Sequence, residues 1–149
     1  MSELKELAAE AKHELLTHII PFWRGMRDDK FGGYYGYLSY DLALDEKAEK
    51  GCILNSRITW FFANAYLLYK DGGISEEECE AAGFKGEDLL AEAKHGYEFL
   101  REHCIDKEYG GIFWSLNYDG TPLDTTKHTY NQAFCIYALS SYCLLYTSP

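Results

Sequence analysis

The chain has 149 residues, 47% of them hydrophobic, and a formal net charge of −10. That length and apolar content fit one modest packed domain, or part of a larger one, and exclude a disordered chain. The charge argues against nucleic acid or an anionic membrane surface as partner, and no apolar run reaches the length of a membrane span.

The N-terminus is polar and charged, without the features of a signal peptide. Five cysteines, an odd number without metal-like spacing, read as reduced thiols of a cytoplasmic protein. No metal or other cofactor is expected, and the sequence leaves the oligomeric state open. Thirteen Tyr, eight Phe and three Trp make a heavy aromatic load. Aromatic faces stack on sugar rings, but they also fill helix interfaces.

Residues 1–24 read as a first helix, with Leu4, Leu7, Ala8, Ala11, Leu15, Ile19 and Phe22 as its apolar stripe. Pro21 is expected to kink or end it. Asp28 to Gly33 is a turn by composition, and Tyr34 to Tyr40 suggests short strand-like pieces. Asp41 to Lys50 reads as a loop and Gly51 to Lys70 as the second helix. Near the start of that helix Arg57 follows Asn55 and Ser56, both possible N-caps. Trp60, Phe61 and Ala65 share a helical face with Arg57. An arginine at the mouth of an aromatic wall suits a sugar or an anionic intermediate, but on spacing alone the commoner arrangement is an arginine paired to a surface carboxylate, since helical aromatic stripes are usually core.

Asp71 to Gly86 reads as a surface insertion with a short helix between Ser75 and Ala82. Glu87 to Cys104 is the third helix. Ile105 to Asp124 is a second glycine-aromatic excursion, with a tight turn at Tyr118-Asp119-Gly120. Thr125 to Tyr142 is the fourth helix, with Ala133, Phe134, Tyr137 and Ala138 on one face.

The chain also repeats itself. Gly32-Gly33 recurs as Gly110-Gly111, 78 residues on, each pair followed by aromatics, a polar loop and an aromatic helix. Matching the helices by their aromatics sets Arg57 opposite Tyr130, Phe61 opposite Phe134 and Ala65 opposite Ala138, an offset of 73. Repeated helical hairpins normally need at least three units to bury their faces. The pattern therefore reads as the beginning of an α/α toroid.

Six stretches carry a resemblance: His18-Ile-Ile-Pro-Phe-Trp23, Arg27-Asp-Asp29, Gly32-Gly-Tyr-Tyr-Gly-Tyr-Leu-Ser39, Lys50-Gly-Cys-Ile-Leu-Asn-Ser-Arg57, Tyr109-Gly-Gly-Ile-Phe-Trp114 and Lys127-His-Thr-Tyr-Asn131. Together they resemble the N-terminal part of cellobiose 2-epimerases, within the N-acylglucosamine 2-epimerase superfamily. The resemblance implies an all-α fold: about four helices of an (α/α)6 barrel, joined by short β-like glycine-aromatic loops. It implies 2-epimerisation of the reducing-end glucose of cellobiose-type disaccharides, without a cofactor. The ring opens, the C2 proton leaves, and a cis-enediolate is reprotonated on its other face. Such chemistry needs acid/base groups that titrate near neutrality, which in the family are histidines on later helices. By the same resemblance Arg57 and Tyr130 are the candidate catalytic residues. Asn55, Trp114, His128 and Asn131 are the candidate substrate-binding residues, with another task open to three of them: Trp114 as a wedge between helical hairpins, His128 as a helix-start hydrogen bonder and Asn131 as a loop tether.

Three departures qualify the match. The N-acylglucosamine epimerases tend to carry Gly-Arg-Gln where this chain has Asn55-Ser56-Arg57, which favours the cellobiose branch. None of the five histidines takes the place of the family's acid/base pair. Residues 143–149 leave the family pattern and suggest a non-native tail. Other readings are an N-acylglucosamine 2-epimerase or mannose isomerase of the same superfamily, and a non-catalytic helical carbohydrate-binding module. An α/α-barrel glycoside hydrolase is a further one, and it would need a carboxylate pair at the site.

Overall fold

The computed structural model describes residues 2–147 and is mostly helical. The first helix, α1 (Ser2–Glu14), widens into a π-helical turn over Leu15–Ile19 and continues as α2 (Ile20–Gly25). Pro21 has no N–H, and in a regular helix its ring would press on the carbonyl of Thr17. The wider turn, closed by Ile20 N–H donating to Leu15 O, relieves that clash and lets the helix run on. The expected apolar stripe is not the packed one. Leu4 and Leu7 are exposed, and the first helix enters the core through Leu16 and Ile20 instead.

Helix α3 (Cys52–Lys70) is central, lying along α5 (Gly86–Phe99) on one side and α6 (Thr129–Thr147) on the other. Gly96 lets α5 approach closely, because a Cβ there would meet Thr59 Oγ1 at 2.2 Å. Between these helices, Ile20, Tyr34, Phe62, Leu89 and Ala93 form the main core. A second cluster, including Cys52, Leu100, Cys104, Ile112 and Ala138, lies under the second glycine-aromatic loop.

The stretch read as a surface insertion contributes to the main core. Its helix α4 (Glu76–Ala81) starts at a capping box, Ser75 with Glu78. Around it Ile74, Cys79 and Phe84 are buried in the main cluster, and Lys12 pairs with Glu78 at 2.6 Å.

The strand content also differs from expectation. Tyr34 to Tyr40 forms only isolated bridges, Arg27 with Tyr34 and Leu38 with Leu44. The ladder instead joins the two excursions. Strand β1 (Lys50–Gly51) pairs antiparallel with β2 (Ser115–Leu116), and β2 with β3 (Pro122–Asp124). The fourth helix begins at Thr129, four residues later than expected, and runs on through Thr147 with Leu145 buried. The suspected tail is thus helical as far as 147, and residues 148–149 lie outside the described residues.

The internal repeat is real, but its register is 78 through the loops and 77 along the helices that follow, one helical turn from the aromatic match. In the first loop Asp28 Oδ1 accepts from the backbone N–H of Lys30 and Phe31, and Lys50 Nζ donates to Asp28 Oδ2 at 2.6 Å. In the second, Asp106 Oδ1 accepts from Glu108 and Tyr109, and Lys127 Nζ donates to Asp106 Oδ2 at 2.6 Å. Asn55 Oδ1 accepts from Tyr34 N–H at 2.9 Å, as Gln132 Oε1 accepts from Ile112 N–H at 2.7 Å. The helices that follow are both 19 residues long. Arg57 therefore corresponds to Phe134, and Tyr130 to Ile53.

The two clasps differ in burial. The first pair is sealed, with side-chain exposures of 0% for Lys50 and 1% for Asp28, and the second is partly open at 31% and 11%. At Asp28 burial opposes ionisation, but the Lys50 ammonium and two backbone N–H groups outweigh it and hold the carboxyl below its ordinary range. At Asp106 the Lys127 ammonium, helped by Tyr109 and Glu108 N–H, holds the carboxyl down at about 2. A depressed folded-state pKa gives stability that is present above the unfolded value of ~3.9 and lost as pH falls through the folded one. Melting temperature is therefore expected to fall as pH drops from ~4 towards ~2. Lys127→Met should flatten that fall, which thermal melts across the range will check.

Candidate active site

Arg57 lies on the second turn of α3, held by a helix start with a tight connection to the first loop. Asn55 donates from Nδ2 to Gly51 O while its Oδ1 holds Tyr34 N–H. Gly33, at φ +66, leaves room for this contact, since a Cβ there would come within 2.6 Å of Asn55 Oδ1. The buried Lys50 ammonium bonds Asp28 and Gly32 O just before the helix.

From this base Arg57 reaches a cleft of about 720 Å³, a size that suits a small ligand. Trp23, Trp60, Phe61, Phe134 and Tyr137 form its aromatic wall. The Trp60 and Tyr137 rings stack at 4.8 Å with 17° between their planes. The Arg57 guanidinium lies over the Phe134 ring, 5.8 Å from its centre. Among the described residues Arg57 forms no ion pair, and no carboxylate lines the cleft. The arrangement offers an exposed cation with free donors beside apolar ring faces, able to bind oxygen-rich or anionic groups on a sugar-sized ligand.

The expected site residues divide into three groups. Arg57 lines the cleft. Tyr130 is exposed and packs edge-on against Phe134 at 4.9 Å, so Arg57 and Tyr130 contact the same ring. Trp114 and His128 lie together, ring centres 4.7 Å apart, and are not among the residues lining the cleft.

Asn55 and Asn131 need correction as substrate binders, because both are fully buried. Asn55 has both ends of its amide on backbone groups. Asn131 Nδ2 donates to Phe113 O, and its Oδ1 is buried without a partner. Asparagines one turn into a helix bind the preceding loop here and do not face a ligand. Sequence reasoning passed over Trp23, Phe134 and Tyr137 as lining residues. The paired Asp28–Lys50 and Asp106–Lys127 would have revealed the last two, by fixing the repeat register at 77.

None of the five histidines lines the cleft. His13 and His18 are exposed on the first helix, and His18 faces Glu14 at 3.0 Å. His95 bonds Gly33 O at 2.8 Å and His103 bonds Gly120 O at 3.1 Å, so both hold loops. The buried thiols are unsuited to nucleophilic chemistry. Burial pushes Cys79 and Cys135 up to about 11, and Cys104 is raised well above its ordinary value by burial and the neighbouring Cys52. Among the described residues no helix is long and apolar enough to cross a membrane.

Comparison with known proteins gives this geometry a family. Cellobiose 2-epimerase of Ruminococcus albus is 53% identical over 136 residues, which is 91% of this chain and 31% of that protein. A solved sugar epimerase from a ruminal bacterium superposes with a TM-score of 0.81 at 51% identity, covering 95% of this chain and 33% of that one. Cellobiose 2-epimerase from Bacillus thermoamylovorans gives a TM-score of 0.84 at 38% identity, covering 97% and 33%. The chain thus spans about a third of the length of these relatives. Its helical hairpins are part of an (α/α)6 barrel. The model of the N-acylglucosamine 2-epimerase (GlcNAc 2-epimerase) family matches residues 33–148, and the chain belongs to that family.

Proposed function

We propose that the protein is a sugar 2-epimerase that interconverts glucose and mannose at the reducing end of cellobiose-type disaccharides, with residues 2–147 forming one wall of its active site. The observation that carries this reading is Arg57, a cation with no counter-ion at the edge of an aromatic cleft. Removing the C2 proton of an open-chain sugar moves negative charge onto the aldehyde oxygen at C1, beside the C2 hydroxyl. A preorganised guanidinium stabilises that charge more than it stabilises the neutral sugar. Tyr130, packed against the same Phe134 ring, is a candidate donor to the same oxygens. The flat faces of Trp60 and Tyr137 suit the C–H face of a pyranose.

The acid and base are assigned outside this wall. General acid/base groups must lie within hydrogen-bond reach of the proton they move, and no histidine lines the cleft.

The test is a hybrid enzyme. In it this chain replaces the matching 136 residues of the Ruminococcus albus enzyme. The hybrid is expected to convert cellobiose to glucosyl-mannose, and this chain alone is expected to give none at enzymic rates. A folded hybrid without epimerase activity, or turnover by the chain alone, would overturn the assignment.

A further inference from the structure

The repeat register shows how Arg57 is held. Residues of α3 and their counterparts 77 positions later on α6 meet across the cleft: Arg57 faces Phe134, and Trp60 faces Tyr137. Two equivalent positions of one repeating helix thus carry a cation and the ring beneath it. One turn on, they carry two rings stacked face to face.

Phe134 is itself fixed from both sides. Tyr130 meets its ring at 4.9 Å with 73° between planes, and Tyr137 meets it at 6.2 Å with 82°. Tyr137 is in turn stacked on Trp60. The ring under the guanidinium is therefore anchored by two aromatic neighbours, one of them braced in turn by Trp60. The guanidinium has no such anchors apart from the ring. A long arginine loses rotamer freedom when it binds a ligand, and a ring that already holds it over the cleft reduces that loss.

We propose that Phe134 is a positioning residue for Arg57, holding the guanidinium by cation–π attraction so that its donors face the sugar oxygens. The proposal rests on the reading that the Arg57 cleft takes a sugar. Phe134 acts through Arg57 and moves no proton. Tyr130 and Tyr137 brace the ring, which gives Tyr130 a task besides any contact with the sugar.

The test uses this chain with cellobiose as the probe, and two readouts. In NMR spectra the Arg57 Hδ and Hε protons should show an upfield ring-current shift, lost in Phe134→Leu and kept in Phe134→Tyr. In titrations Phe134→Leu should weaken cellobiose binding ~2–5-fold, the range expected of one partly exposed cation–π contact, and Phe134→Tyr should restore it. Thermal melts of each variant will separate loss of the platform from loss of fold.

If Phe134→Leu leaves the Arg57 protons or the affinity unchanged while Arg57→Leu weakens binding, the positioning role is overturned and the cleft reading stands. If Arg57→Leu itself leaves affinity unchanged, the cleft reading fails and this proposal falls with it. Should Phe134→Leu fail to fold, the wild-type spectrum decides. Arg57 protons at the position of an unstacked arginine would overturn the proposal.

Discussion

Lys50→Ala is expected to destabilise the chain by about 3–5 kcal/mol, the usual cost of leaving one partner of a buried ion pair alone. Lys50 and Asp28 are sealed at 0% and 1% side-chain exposure. The ammonium bonds Asp28 Oδ2 and Gly32 O, with the Phe99 ring 5.3 Å away. Without it a carboxylate that also organises Lys30 and Phe31 N–H would stand buried and uncompensated. The loss is a large share of a typical domain's ~5–15 kcal/mol. Lys127→Ala breaks the same contact at the more open second clasp and should cost much less. Urea denaturation of both variants checks the comparison. Equal losses would mean that burial does not distinguish the two clasps.

The second large effect concerns activity. In the hybrid enzyme, Arg57→Leu is expected to lower kcat by ~10²–10³-fold, as removal of one preorganised donor to a developing oxyanion does. KM should rise only a few-fold, because the guanidinium holds the neutral sugar oxygens weakly and the charge that forms after C2 deprotonation strongly. A rise in KM with kcat preserved would assign Arg57 to uniform sugar binding. Arg57 is exposed on the cleft, so the melting temperature of the variant should stay near that of the parent.

Much of the architecture was legible in the chain. The helices at Gly51 to Lys70 and Glu87 to Cys104 follow from apolar periodicity and hold to within a few residues. The short helix expected between Ser75 and Ala82 is present, started by a Ser75–Glu78 capping box. The strands were not legible, because β1 and β2 are two residues each and pair across 63 intervening residues. Such pairing leaves no local alternation to read. Burial around Ile74, Cys79 and Phe84 was hidden by the glycines and glutamates beside them. Composition marks exposure of a stretch, but single side chains can still point inward.

The site was legible in part. Arg57 was found by its place near a helix start among aromatics. Its partner was missed by one turn, because Phe61 and Phe134 made the offset of 73 look natural. Aromatics recur so often on both helices that they match in more than one register. Rarer polar marks, Asp28 with Lys50 and Asp106 with Lys127, set the register at 77 because each does a specific backbone-tethering job. Asn55 and Asn131 looked like sugar ligands because an amide suits hydroxyls. An amide suits loop backbone equally, and burial decided between the two.

The central claim is that this cleft serves removal and return of the proton at sugar C2. The direct measurement is turnover of cellobiose by the hybrid enzyme in deuterium oxide, with the product analysed by NMR. The account predicts glucosyl-mannose carrying deuterium at C2 of its reducing-end ring, and loss of that incorporation in Arg57→Leu. Product formed without deuterium at C2, or incorporation that does not depend on Arg57, would contradict it.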